Sequence, residues 1–249
     1  MMFSKRMSLV ISLVIPAYNE EKNIESVIRG ASDYFNDRAL SYEIIVVNDG
    51  STDGTSREVL HASSRDPAIQ LISLEKNYGK GYAVNTGVLR ARGDSIVFSD
   101  ADGSTPIEEL DHFLPLLKEG TDILIGSRYI RMSSIHIRQP WYRVLLGRCG
   151  NLLIRKLLLP EIMDTQCGFK VMKKESAHTI FSKQTIHRWG FDMELLVIAK
   201  LHGFTIKEIP VRWYDTINRK SRFRPIRDAH RTLRDLIKIK RNLKQGVYM

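Results

Sequence analysis

The chain has 249 residues, 43% of them hydrophobic, with a formal net charge of +10. That length buries a full core for one α/β domain and leaves room for a C-terminal elaboration. Cys149 and Cys167 are too few for a disulfide framework, so a reducing compartment is expected, and no run reaches the uninterrupted apolar length of a membrane span.

The charge is uneven. Residues 1–130 hold 13 Lys and Arg against 19 Asp and Glu, leaving 25 against 9 for the rest. The basic half points to nucleic acid, an anionic membrane surface or phosphorylated substrates, or else to a solvated face that keeps the protein soluble. At the start, Lys5 and Arg6 precede Leu9-Val10-Ile11 much as in a signal peptide. The run stops at Pro16-Ala17-Tyr18-Asn19-Glu20 with no small-residue cleavage site, so it reads as a first strand.

Apolar, β-branched runs predict strands at Leu9–Ile15, Glu43–Val47, Ile69–Leu74, Ser95–Phe98 and Asp122–Ile125. Between them, helices are predicted over Glu20–Phe35, Asp53–Ser63, Gly81–Ala91 and Ile107–Leu117. Asn19 and Asp53 are candidate caps of the first two. This alternation means βαβ units and an α/β, mostly parallel, Rossmann-like sheet flanked by helices. Domain limits are expected at 1–225 for the α/β unit and 226–249 for a basic helix and tail.

The loops after these strands carry the polar chemistry. Pro16 ends the first ladder; Tyr18 beyond it can stack on a base, and Glu20 can accept from a ribose or base donor. Asn48-Asp49-Gly50-Ser51-Thr52-Asp53-Gly54 follows the second strand and offers Asp49 to a base N–H or a ribose hydroxyl. Asn77-Tyr78-Gly79-Lys80-Gly81 allows close backbone approach to a ligand. Asp100-Ala101-Asp102 follows the fourth strand, and Gly126-Ser127-Arg128 the fifth. Two carboxylates so close repel unless a cation lies between them, and a divalent ion arriving with a diphosphate fits. An isolated Asp-x-Asp is more often a solvated turn. Five polar loops converging on the carboxyl edge of one sheet favour a ligand site. A dinucleotide site is excluded because no G-x-G-x-x-G follows the first strand, and no P-loop occurs.

Val14-Ile15-Pro16-Ala17-Tyr18-Asn19-Glu20, Val47-Asn48-Asp49-Gly50-Ser51-Thr52-Asp53, Gly79-Lys80-Gly81 and Asp100-Ala101-Asp102 together resemble a GT-A-fold, family 2 glycosyltransferase. Asp164–Lys170, Arg188–Glu194 and Glu208–Trp213 extend the likeness to the polyprenyl- and dolichyl-phosphate hexosyltransferase branch. Asp102-Gly103-Ser104-Thr105-Pro106 looks closer to its glucose-transferring than to its mannose-transferring members. The resemblance implies a nucleotide pocket from Pro16, Tyr18, Glu20 and Asp49, and Mg²⁺ or Mn²⁺ held by Asp100 and Asp102 against the donor diphosphate. It places Arg128 near the donor phosphates or sugar. Asn48 stands where many relatives carry aspartate. Lys80 is either an electrostatic aid to the diphosphate or an ordinary loop lysine.

The implied reaction is inverting transfer of a hexose from a UDP- or GDP-sugar, UDP-glucose foremost, to a polyprenyl or dolichyl phosphate. Such an acceptor is already ionised near neutral pH and needs no strong general base. Asp192 is either a base or acceptor-orienting carboxylate, if the reaction uses one, or a cap of the helix Asp192–Leu201, and Gln166 is expected to face the donor sugar or acceptor. Ser221 and Arg222 match the family's serine-plus-cation pair, with Arg219 beside them, as the acceptor phosphate site.

Ile226, Ala229, Leu233, Leu236 and Ile237 recur at helical spacing among Arg and Lys, predicting a C-terminal amphipathic helix on an anionic membrane. Trp141–Leu159, Leu-rich and broken by arginines, is either a second such surface or an ordinary packed helix. The resulting expectation is a peripheral protein on the cytoplasmic face of a membrane. A nucleic-acid-binding module is the non-enzymatic alternative; the tail lacks interleaved aromatics and any recognised motif, so no nucleic acid is expected. Within the enzymes, transfer to a saccharide hydroxyl is the alternative.

Overall fold

The computed structural model describes residues 10–136, 150–214 and 225–249. Its first half follows the predicted alternation: β1 (Val10–Ala17), α1 (Ile24–Asp37), β2 (Ser41–Asn48), α2 (Thr55–Arg65), β3 (Ile69–Ser73), α3 (Lys80–Val88), β4 (Ser95–Ser99), α4 (Leu110–Lys118) and β5 (Ile123–Ser127). There follow β6 (Ser134–His136), a helical stretch over residues 150–157 (α5), β7 (Phe169–Lys173), α6 (Lys174–Ser182) and α7 (Phe191–Leu201). The last elements are β8 (Ile206–Pro210), β9 (Arg212–Tyr214) and α8 (Pro225–Lys244).

Seven strands form one sheet in the order β3-β2-β1-β4-β7-β5-β8. All neighbours run parallel except β7, which is antiparallel to both β4 and β5. This inversion matters for the site, because the start of β7 arrives at the edge where β4 and β5 end. Ser99 pairs with Phe169, so the residues just before Phe169 sit beside those just after Ser99.

Side chains of period two divide between two faces. Ile11, Leu13 and Ile15 pack with Ile24, Ile28 and Phe35 of α1 and Phe113 of α4. Val14, Ile45 and Val47 pack with Ala83, Val84 and Val88 of α3 on the other face, in a cluster that includes Phe191 and Ile198 of α7. Both faces are covered, which is why the strands read as nearly unbroken apolar runs.

Three expectations are corrected. Asn19 does not cap α1: it adopts φ 57°, a conformation Asn tolerates, and its Oδ1 accepts the Thr52 amide at 2.8 Å, tying the β1–α1 loop to the β2–α2 loop. The stretch Ile206–Trp213, which its apolar residues predict as one further strand, is two, since Pro210 ends the ladder on Ser127 and the chain passes to β6 in a small parallel sheet. On α8, Leu236 does not share a face with Leu233 and Ile237. Leu236 and Ile239 enter the core, while Leu233 and Ile237 are 46% and 59% exposed.

The far end of the chain is tied to α7. Glu194, fully buried, accepts the Tyr248 hydroxyl at 2.7 Å, the Thr185 hydroxyl at 2.6 Å and the Ile186 amide at 2.7 Å. Among the described residues no helix is long and apolar enough to cross a membrane.

Candidate active site

The parallel strands β1, β2, β4 and β5 deliver Tyr18, Asp49, Asp100 and Arg128 to one sheet edge. Asp100 and Asp102 follow β4. The Asp102 carboxyl is held above its ordinary pKa, first by burial and then by the charge of Asp100; the Ser104 amide, donating to Oδ1 at 3.0 Å, works against the rise. Lys80 opens α3 and places its ammonium 2.6 Å from Asp100 Oδ1. The turn before it requires glycine: Gly79 has φ +113°, and a Cβ there would lie 2.6 Å from the His187 carbonyl oxygen.

The antiparallel β7 brings a second group to the pair. Gly168 backs directly onto the Asp100 carboxylate, and a Cβ at this position would overlap it. Gln166 is exposed on the same approach. Because the overlapped atoms are the mobile end of a side chain, Gly168→Ala is expected to displace Asp100 rather than unfold the chain. Turnover should fall at least ~10-fold, with a stability loss no greater than about 1–3 kcal/mol. Kinetics and a melting curve on the same preparation check this.

Across the site, Arg128 is clamped by Asp164: Nε donates to Oδ2 at 2.8 Å and Nη2 to Oδ1 at 3.0 Å. Burial alone would raise the Asp164 carboxyl, but Arg128 outweighs it and holds the pKa below the ordinary range. The guanidinium also lies 5.3 Å from the Trp213 ring centre and 5.5 Å from that of Tyr129. The Tyr214 amide donates to the Ser104 carbonyl at 2.8 Å, so β9 joins the Arg128 side to the Asp102 loop.

Deeper in, Lys170 and Asp192 form an ion pair at 2.5 Å, with side chains only 1% and 3% exposed. Lys170 Nζ also donates to the Cys167 carbonyl at 2.6 Å. Asp192 lies in the first turn of α7 and is spent on this lysine. The sequence reading did not single out Lys170; a lysine inside the run Phe169-Lys170-Val171-Met172 was the signal. Asp164 opens the motif Asp164–Lys170, but nothing in its spacing links it to Arg128.

At the end of β1, Pro16 and Tyr18 are half-buried. Glu20 is buried; its amide donates to Thr55 Oγ1 at 2.8 Å and its carboxylate accepts from Asn23 Nδ2 at 3.0 Å. Asp49 points into the protein, where Oδ1 accepts the Tyr78 amide at 2.8 Å and Oδ2 the Gly79 amide at 2.9 Å. Asn77 Nδ2 donates to the same Oδ2 at 2.8 Å. Burial raises the Asp49 carboxyl, with those two amides opposing. Asp49 thus shapes the turn that carries Lys80. Arg219, Ser221 and Arg222 lie outside the described residues.

Asp100 and Asp102 fit a hard divalent cation: two carboxylates at a sheet edge, Asp102 made costly to ionise first by burial and then by the charge of Asp100. Among the described residues no third His, Cys, Asp or Glu completes a set. Mg²⁺ sites of this kind take one or two carboxylates and fill the shell from substrate phosphates and water.

The chain is 39% identical over 212 residues to a dolichyl-phosphate beta-glucosyltransferase of Trichomonas vaginalis, covering 81% of this chain and 63% of that protein. It is 38% identical over 217 residues to the human dolichyl-phosphate beta-glucosyltransferase, covering 82% and 67%. The chain thus spans about two thirds of the length of these curated relatives. Among solved structures, glucosyl-3-phosphoglycerate synthase from Mycobacterium tuberculosis, in complex with Mn²⁺, UDP and glucosyl-3-phosphoglycerate, superposes with a TM-score of 0.65 at 24% identity. That match covers 92% of this chain and 78% of the other, and it concerns the GT-A fold. The family description "Glycosyl transferase family 2" matches residues 12–181, more than half of the sequence, and the chain belongs to that family.

Proposed function

We propose that this protein transfers glucose from UDP-glucose to a polyprenyl or dolichyl phosphate, inverting the anomeric centre to give a β-linked lipid-phosphate sugar. The observation that carries the reading is the state of Asp192. Asp192 is only 2% exposed and its carboxylate is held by Lys170 at 2.5 Å, so it is not open to an acceptor's hydroxyl. A hydroxyl acceptor needs a base, whereas a phosphate monoester attacks as an anion. The names of the relatives, dolichyl-phosphate beta-glucosyltransferases, support the same acceptor class.

Asp100 and Asp102 would hold Mg²⁺ or Mn²⁺, which supplies Lewis-acid neutralisation of the departing nucleoside diphosphate. Tyr18 and Glu20 line the nucleotide side. Gln166, exposed two residues before the Gly168 that meets Asp100, orients the sugar, and Arg128, fixed by Asp164, Tyr129 and Trp213, presents a rigid positive face to donor oxygens. Ser221, Arg222 and Arg219 receive the acceptor phosphate.

The decisive assay supplies labelled UDP-glucose and dolichyl phosphate in detergent micelles. Label in a lipid product with β configuration is expected. Efficient transfer to a free saccharide with none to the lipid phosphate overturns the acceptor, and preference for GDP-mannose overturns the donor.

The membrane surface is the second part of the proposal. Leu233 and Ile237, one helical turn apart, stand exposed between Arg234, Lys238, Lys240, Arg241 and Lys244 on α8. Two leucine-sized groups entering the bilayer boundary are worth about 1.5–3 kcal/mol each, and each nearby basic residue about 1 kcal/mol. Leu233→Ser with Ile237→Ser is expected to lower partition onto phosphatidylserine vesicles by ~100-fold or more. Raised salt should weaken what remains. Unchanged co-sedimentation of the double variant would remove α8 as the contact.

A further inference from the structure

We propose that Lys80 is an internal counter-cation that closes the Asp100–Asp102 pair to a lone divalent ion, so that metal enters only together with a nucleoside diphosphate. The inference rests on the reading of that pair as the metal site and adds the order in which the site fills.

The geometry fixes the ammonium where a cation is wanted. Lys80 Nζ lies 2.6 Å from Asp100 Oδ1, and its side chain is only 13% exposed. Aromatic walls flank it, with Nζ 5.4 Å from the Trp189 ring centre and 5.8 Å from that of Phe191. The glycines on either side lock the backbone: a Cβ on Gly79 would meet the His187 carbonyl at 2.6 Å, and one on Gly81 would meet Phe191 Cβ at 2.7 Å.

Charge balance then sets the order of binding. Lys80 offsets one of the two carboxylate charges that Asp100 and Asp102 bring to the site. A divalent ion alone would add two positive charges to this largely covered cluster, with the Lys80 ammonium forced against it. A divalent ion accompanied by the doubly negative diphosphate of a nucleotide sugar restores the original balance. It also gives the displaced ammonium a replacement anion. Lys80 is therefore a positioning residue for the metal, whatever contact it makes with phosphate later.

The test measures free Mn²⁺ by electron paramagnetic resonance during titration of the full chain, with and without UDP and with no acceptor present. Wild type is expected to bind Mn²⁺ weakly alone and at least ~10-fold more tightly with UDP, while Lys80→Met binds Mn²⁺ alone at least ~10-fold more tightly than wild type. Lys80→Arg keeps the charge and should stay within about threefold of wild type. Equal or weaker Mn²⁺ binding by Lys80→Met overturns the inference, as does a Lys80→Arg protein as tight as Lys80→Met, since lost packing would then be the cause. Failure of the underlying metal site looks different: wild type would bind no Mn²⁺ even with UDP, or Asp102→Asn would bind it as wild type does.

Discussion

Asp102→Asn is expected to abolish glucosyl transfer and, in the same protein, to raise the melting temperature of the ligand-free state. The two effects share one cause. The Asp102 carboxyl titrates above its ordinary value of 3.8 because it is buried and then because Asp100 repels its charge. A carboxylate whose folded pKa lies above its unfolded pKa binds protons more tightly when folded. Its ionised form therefore costs stability at neutral pH, and that cost disappears as pH falls through the raised folded value. Asparagine removes the cost at every pH and can still accept the Ser104 amide through Oδ1. Under the proposed metal site, the same substitution removes one of the two carboxylates offered to the cation. Loss of charge stabilisation on that scale is worth at least about 100-fold in turnover. Melting curves at neutral and acid pH, beside turnover with Mn²⁺, give both numbers. Full activity of Asp102→Asn in chelator would remove the metal assignment. A melting temperature lowered at neutral pH would remove the repulsion argument.

The parallel half of the sheet was legible because its signals are local. Runs such as Ile44-Ile45-Val46-Val47 and Ile96-Val97-Phe98 are buried on both faces, and every strand boundary of that half falls within two residues of expectation. The loop residues could be read for the same reason, since each follows its strand directly. What the sequence hid is non-local. Nothing in Phe169–Lys173 announces that the strand runs antiparallel, yet that inversion sets Gly168 against Asp100. The Arg128–Asp164 clamp joins residues 36 positions apart and has no periodic signature. On α8 the apolar positions were visible, but periodicity alone could not divide them. Leu236 and Ile239 meet the core only because Glu194, Thr185, Asn242 and Tyr248 pull that helix onto α7. The loop offers Asp49 to a base N–H or ribose hydroxyl, and its spacing does not show that the carboxylate also accepts the amides of Tyr78 and Gly79.

The Lys170–Asp192 pair is expected to produce the largest change in stability. Each partner is almost wholly buried, and each neutralises the other at 2.5 Å. Asp192→Asn leaves the Lys170 ammonium without a counter-charge, held by neutral oxygens such as the Cys167 carbonyl at 2.6 Å, and Lys170→Met strands the Asp192 carboxylate. Breaking one side of a buried pair costs about 3–5 kcal/mol, a large share of the ~5–15 kcal/mol that holds a domain folded. For a chain of this size that is a drop of roughly 6–20 °C in melting temperature. The double variant Lys170→Met with Asp192→Asn removes both charges together. It should recover most of the loss, because replacing a whole buried pair is often neutral or stabilising. Activity then separates structure from chemistry. If Asp192 only balances Lys170 behind the Asp100–Asp102 pair, the double variant keeps turnover within about tenfold of wild type, short of the ~10²–10⁴-fold that a general base contributes. A double variant that melts like wild type but has lost several orders of magnitude in turnover would make Asp192 a chemical participant and reopen the hydroxyl acceptor.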